Sequence, residues 1–142
     1  MSYNSGRVNL ISSNGGSGLP IPNATQTMHC AVMNTAAAAG VVQIATPDAS
    51  HAYYYVGFMH TQASTVSPEM TIYDAAAGNP QALTAGTLYA DINLAHCRNT
   101  ISGATTSVIL STPIKVANGI RMQSGTAGSN GVIAVYYMEE AI

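Results

Sequence analysis

The chain is almost without charge. Four Lys or Arg and six Asp or Glu stand among 142 residues, 7% of the whole, where an average soluble domain carries about 25%. The usual route to disorder, low hydrophobicity joined to high net charge, is closed, because 47% of the residues are apolar and the net charge is −2. A membrane-spanning helix needs roughly 18–20 consecutive apolar residues. The longest stretches here, Ala31–Met33 into Ala36–Ile44, are broken by Asn34, Thr35 and Gly40. What remains is a folded domain with little to hold it apart from its neighbours. Scarce charge therefore predicts a surface that partners cover. The 8 Tyr and 7 Met, with no Trp, suit such a surface, since interface cores shed charge and favour Tyr, Met and Arg. The basic residues Arg7, Arg98, Lys115 and Arg121 are dispersed, which excludes the clustered footprint that nucleic acid requires.

A chain of this length fits a single domain and buries roughly 68–70% of its unfolded surface, enough to fold without a disulfide or a metal. Cys30 and Cys97 are far too few for a disulfide scaffold and read as small buried hydrophobes. The opening Met1-Ser2-Tyr3-Asn4-Ser5-Gly6 has no basic region followed by an apolar run, so no secretory signal is expected.

Residues 1–24 read as a flexible or extended N-terminal arm. Ser12-Ser13-Asn14-Gly15-Gly16-Ser17-Gly18 is linker chemistry, and Leu19-Pro20-Ile21-Pro22 favours an extended backbone. Residues 25–142 read as one β-sandwich domain. Short β-favouring runs alternate with turn residues, over Thr25–Met33, Gly40–Ala45, Ala52–Gln62, Met70–Asp74, Thr87–Leu94, Thr106–Ser111, Gly119–Gln123 and Val132–Met138. About eight strands of this length predict an all-β, antiparallel two-sheet sandwich of jelly-roll type. Asn118-Gly119 is a tight-turn signal, both residues tolerating positive φ. Thr35–Ala39 allows at most a turn or two of helix.

Leu88, Ala90, Ile92 and Leu94 alternate with Tyr89, Asp91 and Asn93, the period of a strand with one face inward. Met70–Asp74 alternates in the same way. Tyr53–Met59 and Val132–Met138 are apolar on both faces. Such strands are central to the fold or have an outer face covered by another subunit.

Residues able to carry chemistry form no convincing constellation. His29-Cys30 and His96-Cys97 suggest a zinc site on paper, but adjacent strand residues point to opposite faces and the spacing of a zinc motif is missing. No metal and no other cofactor is expected. A Ser/His/Asp hydrolase, with Asp74 or Asp91 orienting His60 or His96, lacks the Gly-x-Ser-x-Gly elbow. Glu139-Glu140 read as a solvated or interface pair, and Asp48, Glu69 and Asp74 as turn caps. Tyr53-Tyr54-Tyr55 admits two readings: core and interface packing, or an exposed aromatic platform for a glycan. The candidate interface residues are Tyr53, Tyr54, Tyr55, Arg98, Arg121, Tyr136 and Tyr137, the arginines because they form desolvated bidentate pairs well. The expectation is a binding protein and not an enzyme.

Met70-Thr-Ile-Tyr-Asp-Ala-Ala-Ala-Gly78, Ser111-Thr-Pro-Ile-Lys-Val-Ala-Asn-Gly-Ile120 and Gly131-Val-Ile-Ala-Val-Tyr-Tyr137 resemble small β-sandwich virion proteins of tailed bacteriophages. In that group a "TVYDG" strand precedes a "P-I-x-x-x-N-G-I" strand and a final "V-x-V-Y-Y" strand. The resemblance covers roughly residues 70–138, its motifs are structural, and Asp74–Gly78 departs from it in being Ala-rich. It is nearest to the capsid decoration, or cement, proteins with jelly-roll folds. It implies a homodimer or homotrimer bound to the major capsid protein on the virion exterior, made in the host cytoplasm, with no nucleic-acid or membrane partner. A receptor- or glycan-binding sandwich of a phage tail or fibre is the alternative.

Overall fold

The computed structural model of the protein describes residues 20, 22–34, 40–62, 69–76, 92–98, 103–124 and 131–142. These contain eight strands and no helix: β1 (Gln26–Asn34), β2 (Gly40–Ala45), β3 (His51–Gln62), β4 (Glu69–Asp74), β5 (Ile92–Arg98), β6 (Thr105–Lys115), β7 (Ile120–Ser124) and β8 (Gly131–Ala141). They form two four-stranded antiparallel sheets, a front sheet in the order β1-β8-β3-β6 and a back sheet in the order β2-β7-β4-β5. First pairs with last, second with seventh, third with sixth and fourth with fifth, as if one long hairpin had been rolled up. That is jelly-roll connectivity, as the spacing of the runs predicts.

The runs that are apolar on both faces, β3 and β8, are the two central strands of the front sheet. Their inner faces supply Tyr55, Phe58, Ile133 and Val135 to the core. Met70, Ile72, Met122 and Cys97 meet them from the back sheet. Alternation in β4 behaves as read: Met70 and Ile72 face in, Thr71 and Tyr73 face out.

Several details differ from expectation, among them the last strand, which runs on from Met138 to Ala141. The fifth run continues to Arg98, because Ala95, His96 and Cys97 pair with Ile72, Thr71 and Met70; its expected start at residues 87–91 lies outside the described residues. The sixth runs past Ser111 through Pro113 to Lys115. It can do so because β6 is an edge strand with an irregularity opposite Val56, so the missing proline N–H breaks no regular ladder. At Asn118-Gly119 only Gly119 has positive φ, +138°. Of the arm expected over residues 1–24, residues 1–19 and 21 lie outside the described residues, as does the turn of helix at 35–39.

One glycine and two aspartates fix the local geometry of the strands and their connections. Gly57 lies so close to β6 that a Cβ there would sit 2.2 Å from the Val108 carbonyl oxygen. Asp74, at the end of β4, accepts hydrogen bonds from the N–H groups of Ala117 (2.8 Å), Asn118 (2.7 Å) and Gly119 (3.1 Å). It thereby fixes the crossover from β6 in the front sheet to β7 in the back sheet. Asp48 likewise caps Ser50 and His51, so both aspartates act as the caps their turn positions suggest.

Candidate interaction surface

The outer face of the front sheet follows from its registers. Successive cross-strand rows read Asn34–Val132–Thr61–Thr105, then Val32–Ala134–Met59–Ser107, then Cys30–Tyr136–Gly57–Ile109. No Asp, Glu, Lys, Arg or His stands in these rows. Three large apolar side chains are exposed on neighbouring strands: Val32 (66%), Val132 (47%) and Met59 (40%). Cys30 is exposed beside them. Charge returns only further along, at Lys115 opposite Tyr54 and at Glu140 between Gln26 and Ala52.

The outer face of the back sheet differs in kind. Its rows include Gln43–Arg121–Tyr73 and Gln123–Thr71–His96, and Thr71 Oγ1 lies 3.0 Å from His96 Nδ1. Thr71, Tyr73 and Arg121 of that side are buried, whereas Val32, Met59 and Val132 of the front side stand exposed. An exposed apolar patch on a soluble domain marks an interaction site more often than chance.

At the open end of the inner front face lies a polar string that the sequence reading missed. Glu139 sits between two histidines, its oxygens 3.5 Å from His29 Nε2 and 3.7 Å from His51 Nε2, and His51 Nδ1 is 3.3 Å from Asp48. His29 stacks on Tyr137 with ring centroids 5.0 Å apart, and Tyr53 tilts against the same ring. The backbone N–H of Ser50, with smaller contributions from His51, holds the Asp48 carboxyl below its ordinary range. Burial, then the neighbouring Glu139 carboxylate, raises the Tyr53 and Tyr137 phenols. Among the described residues, no three His, Cys, Asp or Glu side chains are grouped to hold a metal ion.

The seven candidate interface residues separate. Tyr54 and Tyr136 are on the outer front face, half-buried, and Tyr54 donates its hydroxyl hydrogen to Glu140. Tyr53, Tyr55 and Tyr137 turn inward on the alternate face, so Tyr53–Tyr55 make no single flat platform. Tyr55 is 1% exposed, and burial alone pushes its phenol far above the usual value. Arg121, expected as an interface anchor, is buried within the chain. Its Nη1 donates to the Ala76 carbonyl at 3.4 Å and its guanidinium lies 5.7 Å from the Tyr73 ring centre. Arg98 ends β5 in register with Glu69.

The remaining chemistry-bearing residues also fall apart as alternation requires. His29 faces in and Cys30 out on β1; Cys97 faces in and His96 out on β5. The two pairs belong to edge strands of different sheets. Cys97 instead meets His60 across the core, Sγ to Nδ1 at 3.7 Å. Burial raises the thiol's pKa, partly offset by Thr106, and lowers that of the imidazole. Asp74 is committed to its crossover and orients no histidine.

No family model matches the chain, and no curated protein matches it. A solved structure described as "Bacillus endospore appendages form a novel family of disulfide-linked pili" aligns with 89% of this chain and 99% of its own, at 16% identity and a TM-score of 0.44. That likeness is too slight to assign a family or a role, and nothing in its description refers to a phage capsid.

Proposed function

We propose that this protein is a structural subunit that works by binding protein neighbours in an assembly, without catalysing a reaction. The observation that carries this reading is the outer face of the front sheet, where Val32, Met59 and Val132 are exposed together on adjacent central and edge strands without an ionic residue among them. In its finer form the assembly is a phage capsid: the subunit decorates the exterior of the shell and stabilises it by binding the assembled state in preference to separated capsid subunits. The motifs within residues 70–138 support that form. The arm that the sequence predicts for residues 1–24 would then lie along a neighbour, pairing its backbone with an exposed edge. The inward turn of Tyr53 and Tyr55 divides the Tyr53–Tyr55 run between two faces, which weighs against its serving as a glycan platform.

The test is to mix the purified protein with phage shells stripped of their decoration. Saturable binding with a raised shell melting temperature supports the capsid form. If the protein ignores shells but gains mass with its own concentration, the structural reading stands and the capsid form fails. A protein that does neither contradicts both.

A further inference from the structure

The relief of the outer front face decides which neighbour fits it. At its centre, two adjacent pairs of opposed residues form a square: Ala134 opposite Met59, and Tyr136 opposite Gly57. The large side chains occupy one diagonal and the small residues the other. Met59 stands out at 40% exposure, whereas Ala134 lies low at 6% and Gly57 is buried. Gly57 cannot be enlarged, since a Cβ there would strike the β6 backbone.

A chequered square has a particular symmetry. Turn a second copy about a two-fold axis lying in the plane between two such faces, either along the strands or across them. Each large residue then lands opposite a small one: Met59 against Ala134 or Gly57, and Tyr136 against the other. An isologous contact needs a patch complementary to itself, and this one is. The absence of charge from the rows of Val132, Ala134 and Tyr136 removes the repulsion between like groups that a two-fold would otherwise create, since a two-fold brings like patches together.

The area agrees. Strands about 4.8 Å apart and rising about 3.4 Å per residue make the whole outer face of a four-stranded sheet, as long as β8, about 700 Å². Two copies would bury about 1,400 Å² together, inside the range of about 1,200–2,000 Å² typical of stable interfaces. The apolar centre alone is roughly half of that, so a contact confined to it would be weak and transient.

We infer that the outer face of the front sheet is a self-recognition surface, on which a second copy of this chain packs face to face about a two-fold axis through the Ala134–Met59–Tyr136–Gly57 square. This rests on the reading that the protein works by binding protein neighbours, and it names the neighbour. The sheets would lie about 10 Å apart, their strands within about 30° of each other.

Sedimentation velocity on the full chain and on Met59→Glu and Val42→Glu tests it, with circular dichroism confirming the fold of each. Val42 is 40% exposed on β2, an edge of the other sheet. Wild type and Val42→Glu are expected to dimerise alike, and Met59→Glu at least 30-fold more weakly. Should Met59→Glu fail to fold, Val32→Glu replaces it at the rim of the same face. Equal dimerisation of the folded front-face variant and wild type overturns the inference while leaving the structural reading intact. A monomeric wild type that coats phage shells, and ceases to on Met59→Glu, shows a different occupant and overturns it too. A monomeric wild type that binds no shell sinks both.

Discussion

Glu139 and Glu140, adjacent in the chain, serve opposite faces of one sheet. Glu139 turns inward to His29 and His51, and Glu140 turns outward to the hydroxyl of Tyr54 and the amide of Gln26. The hydrogen bond to Glu140 is the chief reason that the Tyr54 phenol titrates above its ordinary value. Glu140→Gln is therefore expected to bring Tyr54 back toward about 10 and to leave Tyr55, shifted by burial alone, where it is. Resonances of ring-labelled tyrosine followed through an alkaline titration check this.

His60 gives the protein an acid limb. Its ring is fully buried and burial disfavours its protonated form, so its folded pKa is below the unfolded value. The unfolded chain then binds the extra proton first. Stability from this group is complete above about pH 6.5 and is lost as pH falls from there through the folded pKa, by up to about 1.4 kcal/mol per unit. Urea midpoints measured between pH 7.5 and 5 should show the decline, and His60→Gln should flatten that part of it.

Asp74 holds three backbone donors, but Ala117 and Asn118 are exposed and water can replace the carboxylate there; Gly119 is buried. Asp74→Ala is expected to cost about 2 kcal/mol. Asp74→Asn should cost less, because one carbonyl oxygen can still serve Asn118 and Gly119. Chemical denaturation of the two variants separates the cases.

Gly57→Ala and Gly103→Ala form a contrast. At Gly57 the new methyl meets the backbone of Val108 at 2.2 Å and of Ile109 at 2.9 Å, whereas at Gly103 (φ +80°) nothing lies within 4 Å. The first should cost at least about 3 kcal/mol, since β6 must move. The second should cost about 1 kcal/mol, the strain of a left-handed backbone. Thermal melting of both variants measures the difference.

The fold was legible because each run carried its own evidence: period two in Met70–Asp74, apolar residues on both faces of β3 and β8, and turn residues between. What alternation cannot supply is register. The meeting of His29, His51 and Glu139 depends on β1, β8 and β3 aligning Tyr137 with both His29 and Tyr55, which no single strand declares. The burial of Arg121 was hidden for a related reason. Its strand reads as short and partly polar, and the meeting of Arg121 with Tyr73 follows only from the pairing of β7 with β4. Tyr53–Tyr55 looked like one cluster because sequence places them side by side, yet a strand divides neighbours between its faces.

Cys30 gives the most direct measurement of the central claim, that a second copy of the chain covers the outer front face. It is exposed on that face, while Cys97 is buried, so a thiol reagent applied to the native protein reads Cys30 alone. Alkylation rates across a dilution series, with mass recorded alongside, are expected to be fast in the dilute monomer and to slow as mass rises above 14.6 kDa. An alkylation rate that stays constant across the series, whether or not the mass rises, would contradict the account.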